Sequence, residues 1–259
     1  MKEICHKGLA KLVGQYGSSL IDPNALEIVV NASVEPDKID REKFSENFFF
    51  GIKWLFNHTI GAKELAVSYL RNACDAYAKK NNSWLKNLGF AFHFITDWGT
   101  PYHSPTSKSN PFLDITEVGA KLGGKIGIMS KSNKNWRDEL REFVKGALIG
   151  GGIFGSIALI LLYFSHNNFE SRCDELWNEN IPLIRKHFRG KLVHPKLPKK
   201  INLALDLFEE KMNNLHQRSE NLHADWIDNC SNEEYADYMS DISIVMDLAC
   251  QIVIKNEFF

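Results

Sequence analysis

Apolar positions along this chain recur every three or four residues, the spacing that lays one hydrophobic stripe along a helix. Over 4–20 the stripe runs through Leu9, Ala10 and Val13, with His6 on the same face. Asp22-Pro23-Asn24 is a turn that opens a short helix or apolar segment over 24–31. From 34 to 41 the chain turns polar around Pro36 and reads as a loop. Leu65, Tyr69, Ala73 and Ala76 define an amphipathic helix over 61–80. Asn82-Ser83 is an N-cap signal for a central helix, with Trp84, Leu85, Leu88, Phe92 and Ile95 as its stripe. Gly99 and Pro101 end it. Further helices are expected over 171–186, with a break or kink at Pro182, over 201–228 and over 232–255. The last carries Met239, Ile242, Met246, Ala249 and Ile252 as a core face. A lysine-rich connector spans 189–200. Neither the alternation of a strand nor an internal repeat is evident. The pattern predicts an all-α fold, a single multi-helix domain over 1–259.

Two stretches break the pattern. Residues 104–135 are rich in Ser, Gly, Lys and Pro and read as an irregular insertion. Residues 146–164 carry no charge, and their nineteen positions would make a helix about 28 Å long, near the apolar thickness of a bilayer. Three readings stand for this segment: a buried central helix, a helix docking on a membrane interface, or a span. Its five glycines suit close helix packing.

Charge narrows the partners. Thirty-one basic against 32 acidic residues leave a net charge of -1, so no strong positive field favours a nucleic-acid backbone. The five cysteines are odd in number and show no C-x-x-C spacing, which fits a reducing compartment rather than a disulfide framework. Met1 to His6 has no apolar signal-peptide core, so the expected location is cytoplasmic or peripheral on a membrane.

The candidate chemistry lies in His93-x3-Asp97-x5-His103. His93 and Asp97, four apart, share a helix face with Gly89, away from the apolar stripe. His103 follows the helix end and can point elsewhere. Imidazole and carboxylate together suit zinc better than calcium or magnesium. Alone, a helical histidine is an ordinary surface or core residue. More ligand types do occur: His6, Asp37 with Asp40 as its competitor, His58, and His166-x3-Glu170. Cys5 beside His6 reads as a buried thiol before a stray ligand. His187, His194, His216 and His223 read as surface or capping residues. The aromatic run over 44–60, with Phe50, Trp54 and Phe56, reads as core packing or as the wall of a substrate cleft.

In this order, His6, Asp37, His58, His93-x3-Asp97-x5-His103 and His166-x3-Glu170 resemble the trinuclear zinc enzymes. These comprise the zinc-dependent phospholipases C and the single-strand-specific zinc nucleases. The resemblance covers Met1 to Glu170 in ligand order. It implies an all-α domain and three zinc ions in one cleft. The first ion would be held by Asp37, His58, His93 and Asp97. Asp97 would bridge to a second, on His6 and the Met1 terminus. His103, His166 and Glu170 would hold the third. It implies hydrolysis of a phosphodiester by metal-activated water, with Asp37 as base or water-orienting group. The activity expected first is that of a phospholipase C cutting phospholipid on the glycerol side of the phosphate, with peripheral membrane contact through 146–164. A nuclease or nucleotidase is the alternative, favoured by the spacing from Met1 to His6. A membrane-binding module with purely structural metals is the non-enzymatic one.

Overall fold

The structure is a computed structural model that describes residues 3–44, 58, 61–101, 152–193, 195–222 and 226–255, with backbone alone for 40–44 and 152–167. Every element among the described residues is helical. In chain order they are α1 (Glu3–Tyr16), α2 (Pro23–Ala32), α3 (Glu35–Phe44), α4 (Ala62–Ala78) and α5 (Ser83–Trp98). These are followed by α6 (Gly152–Lys191), α7 (Ile201–Glu220), the single turn α8 (Trp226–Asn229) and α9 (Asn232–Ile254). The expected insertion over 104–135 and the start of the apolar stretch, 146–151, lie outside the described residues. From 152 onward that stretch is the first part of α6. No helix among the described residues is long and apolar enough to cross a membrane.

Helix α9 is the centre of the packing. It lies against α1, α4, α5, α6 and α7, and most of its residues are buried, Tyr235, Tyr238, Ile242 and Met246 among them. A stripe that wide has no solvent face to spare, so the helix is wrapped on several sides. Its start is fixed by a reciprocal cap: the Ser231 hydroxyl accepts from the Glu234 N–H, and the Glu234 carboxylate accepts from the Ser231 N–H.

Three local expectations are corrected. Residues 34–41 are no loop: Glu35-Pro36-Asp37 forms the first turn of α3. Proline is tolerated there because a first-turn N–H has no helical acceptor to lose, and the acidic pair favours the positive helix end. The N-cap of α5 is not made by Asn82, whose side chain forms no cap bond; Asn81 Oδ1 accepts from the Ser83 N–H at 2.9 Å instead. Pro182 does not break α6, which continues to Lys191 with the proline ring on its exposed side. Two of the four histidines read as surface or capping residues also have defined partners. His216 is stacked on Trp98 with ring centroids 4.0 Å apart, and His187 is paired with Glu233 at 2.6 Å. All five cysteines are free thiols.

Candidate metal centre

Helix α5 supplies the centre of the site. Leu88, Phe92 and Ile95 are buried in the core, which fixes the rotation of the helix and turns His93 and Asp97 to another side. Both are buried, at 0% and 1% exposure, a position a carboxylate holds only with partners. The C-terminal end of α5 is pinned by the Trp98 indole, which donates to the Met212 carbonyl at 3.0 Å. The Tyr238 hydroxyl adds a bond to the Gly99 carbonyl.

Gly89, one turn before His93, lets α2 approach. A Cβ there would stand 2.5 Å from Ala32 Cβ and 2.6 Å from the Val29 carbonyl oxygen. That close crossing brings the Ser33 carbonyl, at the end of α2, to 3.0 Å from His93 Nδ1. A carbonyl only accepts, so Nδ1 carries the hydrogen. In the neutral ring Nε2 is then a bare lone pair aimed into the site. Two residues past Ser33, α3 begins, and its first turn delivers Asp37.

Four ligand-type atoms converge. His93 Nε2 lies 3.1 Å from His58 Nδ1 and 3.1 Å from Asp97 Oδ2. His58 Nδ1 is 2.7 Å from Asp97 Oδ2. Asp37 Oδ1 stands 3.7 Å from His58 Nδ1 and 3.8 Å from His93 Nε2. Metal–ligand bonds of about 2.1 Å at tetrahedral angles put ligand atoms about 3.4 Å apart. The observed separations fall on both sides of that figure. The electrons point the same way. Asp97 Oδ2, Asp37 Oδ1 and His93 Nε2 are all acceptors, and His58 Nδ1 brings at most one hydrogen to share among them. Such a set, largely buried, suits a cation at its centre.

The other oxygen of Asp97 faces a different residue. His6 Nε2 lies 3.6 Å from Asp97 Oδ1, and the His6 ring stacks on His93 with centroids 4.5 Å apart. His6 is 1% exposed, and among the described residues neither of its ring nitrogens has a hydrogen-bond partner. Burial, reinforced by the neighbouring His93, holds its pKa well below the ordinary histidine range, so the ring is neutral. A neutral, orphaned imidazole beside a carboxylate oxygen is a ligand arrangement in search of a cation. Asp97 thus presents one oxygen to His58 and His93 and the other to His6. His6, His93 and Asp97, and likewise Asp37, His58 and His93, form groups compact enough to hold a metal ion. Asp37 is the most accessible of these residues, with 14% of its side chain exposed. Burial raises its pKa, but the adjacent His93 and His58 outweigh that and lower it, so it is ionised.

Glu170 is also buried, at 3% exposure, on α6, and its negative charge is felt at His6. His166 sits one turn earlier on the same helix, and its side chain lies outside the described residues, as do Met1, His103, Phe50, Trp54 and Phe56. The structure therefore brings together His6, Asp37, His58, His93 and Asp97, with Glu170 within electrostatic reach. Two contributors were missed by sequence reasoning. The Ser33 carbonyl is a backbone group and leaves no mark in the residue pattern. Gly89 was placed on the ligand face, but the helix crossing it permits appears only when α2 is in view. Comparisons with protein-family models, with curated proteins and with solved structures returned no match to this chain.

Proposed function

We propose that this chain is a zinc-dependent phosphodiesterase, and specifically a phospholipase C that hydrolyses phospholipid on the glycerol side of the phosphate. The observation that carries the proposal is the two-sided use of Asp97, with one oxygen toward His58 and His93 and the other toward His6. A carboxylate shared in this way suits adjacent divalent cations, the arrangement that clamps the attacking and leaving oxygens of a phosphoester. The mixed imidazole and carboxylate donors fit zinc. Zinc bound here would supply Lewis acidity and a water whose pKa is brought from 15.7 toward about 7.

The chain's own groups then have separate tasks. Ser33 fixes the His93 tautomer, so Nε2 is always available to the site. Asp97 holds the two halves of the centre at a set distance. Asp37, ionised and partly open to solvent, accepts or orients the proton of the attacking water. His103, His166 and Glu170 are assigned to a third zinc, and Met1 to the His6 side. The near-zero net charge, -1, favours lipid over a polyanionic strand as substrate.

Purified chain would be supplied with zinc and offered phosphatidylcholine or phosphatidylethanolamine vesicles and, separately, single-stranded DNA. Release of phosphocholine or phosphoethanolamine, abolished by chelator and restored by zinc, is the expected result. Release of nucleotides from DNA with no lipid cleavage would replace the lipid reading by the nuclease one. Cation binding without either activity would leave a metal-stabilised binding module.

A further inference from the structure

A buried carboxylate outside the ligand set is bonded to the first turn of α1. Asp174 is on α6, one turn beyond Glu170, and is 8% exposed. Its Oδ1 accepts from the Cys5 N–H at 3.2 Å. Cys5 is in the first turn of α1, where N–H groups have no helical acceptor, and the residue after it is His6. Burial pushes the Asp174 pKa up, so the carboxylate is held at a cost that a surface position would not carry. The positive end of α1 offsets part of that cost.

Two contacts further along join the same pair of helices. Gly8 faces the Trp177 indole, where a Cβ would come within 2.3 Å of the ring. Arg185 lies over the Tyr16 ring at 4.5 Å. Cys5 with Asp174, Gly8 with Trp177 and Tyr16 with Arg185 are each 169 residues apart in sequence. α1 and α6 therefore run parallel in fixed register. A slip of one residue would carry His6 about 1.5 Å along the helix axis. Metal–ligand distances tolerate about 0.2 Å.

We propose that Asp174 is a positioning residue for His6: by clamping the first turn of α1 to α6, it holds the imidazole at Asp97 Oδ1 and so sets occupancy of the cation on the His6 side. The inference rests on the reading of the site as a cation centre. Asp174 touches neither His6 nor Asp97 through any contact described above; its action passes through the backbone of Cys5. The spacing contained a signal for it, since His166, Glu170 and Asp174 continue one i,i+4 series along α6.

The test is zinc titration, alone, of metal-stripped protein by calorimetry, with helix content checked by circular dichroism. In Asp174→Ala the His6-side cation should bind about 10–100-fold more weakly, the usual effect of losing a partner behind a ligand. The cation on His58 and His93 should be retained. Asp174→Asn, which keeps the accepting oxygen, should restore binding. In a His6→Ala background, Asp174→Ala should add nothing, because the residue acts through His6. Asn180→Ala removes a bond from α6 to Asn232 Oδ1 that touches neither Cys5 nor His6; it should lower thermal stability and leave zinc affinity unchanged. Should Asp174→Ala not fold, Asp174→Glu, which displaces the oxygen by a methylene, is expected to weaken the same cation. Native affinity in the Asp174→Ala or Asp174→Glu variant, failure of Asp174→Asn to restore binding, or equal weakening by Asn180→Ala would overturn the inference. Native protein that takes up no zinc would instead defeat the cation-centre reading itself.

Discussion

His93 concentrates the chemistry of the site in one ring. Its Nδ1 is committed to the Ser33 carbonyl at 3.0 Å, and its Nε2 faces a second imidazole nitrogen and a carboxylate oxygen, each at 3.1 Å. These are donor types that a divalent zinc ion takes. Zinc should therefore stabilise the fold as well as equip it. At a free concentration of 100 times its Kd, a single bound ion adds about 2.7 kcal/mol. Thermal unfolding with zinc and with chelator should show that increment in the native protein and lose it in His93→Ala. An unchanged increment in the variant would place the ion elsewhere. His6 adds to this: a buried neutral ring with no hydrogen-bond partner among the described residues costs stability unless something binds it.

At the level of elements, the close crossing of α2 and α5 does what no single ligand can. It sets the Ser33 carbonyl and, through the short link to α3, Asp37. Gly89→Ala tests it. The new methyl meets Ala32 Cβ and the Val29 carbonyl at under 3 Å. Overpacking of this kind costs about 1–3 kcal/mol, against a helix-propensity gain of about 1 kcal/mol. Urea unfolding should show a net loss of stability, and zinc affinity should fall as Ser33 and Asp37 move. Gains in both would contradict the account.

Legibility in the sequence divides along the same line. Helices with one clear stripe, such as 61–80 and 232–255, were readable because burial follows periodicity directly, and they stand within a few residues of Ala62–Ala78 and Asn232–Ile254. The His93 and Asp97 pair was readable because i,i+4 spacing fixes a shared face. Helix α3 was not: its polar, proline-bearing start carries no apolar period, and the proline that suggested a loop is a first-turn residue. Nor was the Asn81 cap, since Asn81 and Asn82 offer the same side chain one position apart. Ser33 acts through its carbonyl, and that depends on the distance between two helices rather than on residue type.

The whole molecule holds the site by gathering distant helices onto α9. On the side formed by α6, α7 and α9, Asp237 accepts from Lys191 at 2.7 Å and from Arg218 at 2.8 Å, and His187 lies 3.3 Å away. Asp241 extends the same network to Lys191 at 2.5 Å and to Arg218. Partial burial of Asp237 disfavours its charge, but hydrogen bonds from Lys191 and Arg218 prevail and lower its pKa to about 2. A carboxylate depressed in this way contributes stability that is complete above its ordinary pKa of 3.8 and is lost as pH falls toward about 2. Asp237→Asn should lower stability at neutral pH by no more than about 1 kcal/mol, since the group is a third exposed. The difference from native protein should close below about pH 2. A gap that persists there would mean that packing, not charge, joins these helices.

The bridging role of Asp97 is the claim on which the proposed chemistry rests, and a metal count tests it most directly. Native protein, Asp97→Ala and His6→Ala would each be dialysed against buffered zinc and measured by elemental analysis. The account predicts more than one tightly held ion in native protein, two fewer in Asp97→Ala and one fewer in His6→Ala. Equal losses in the two variants, or no stoichiometric zinc in native protein, would contradict it.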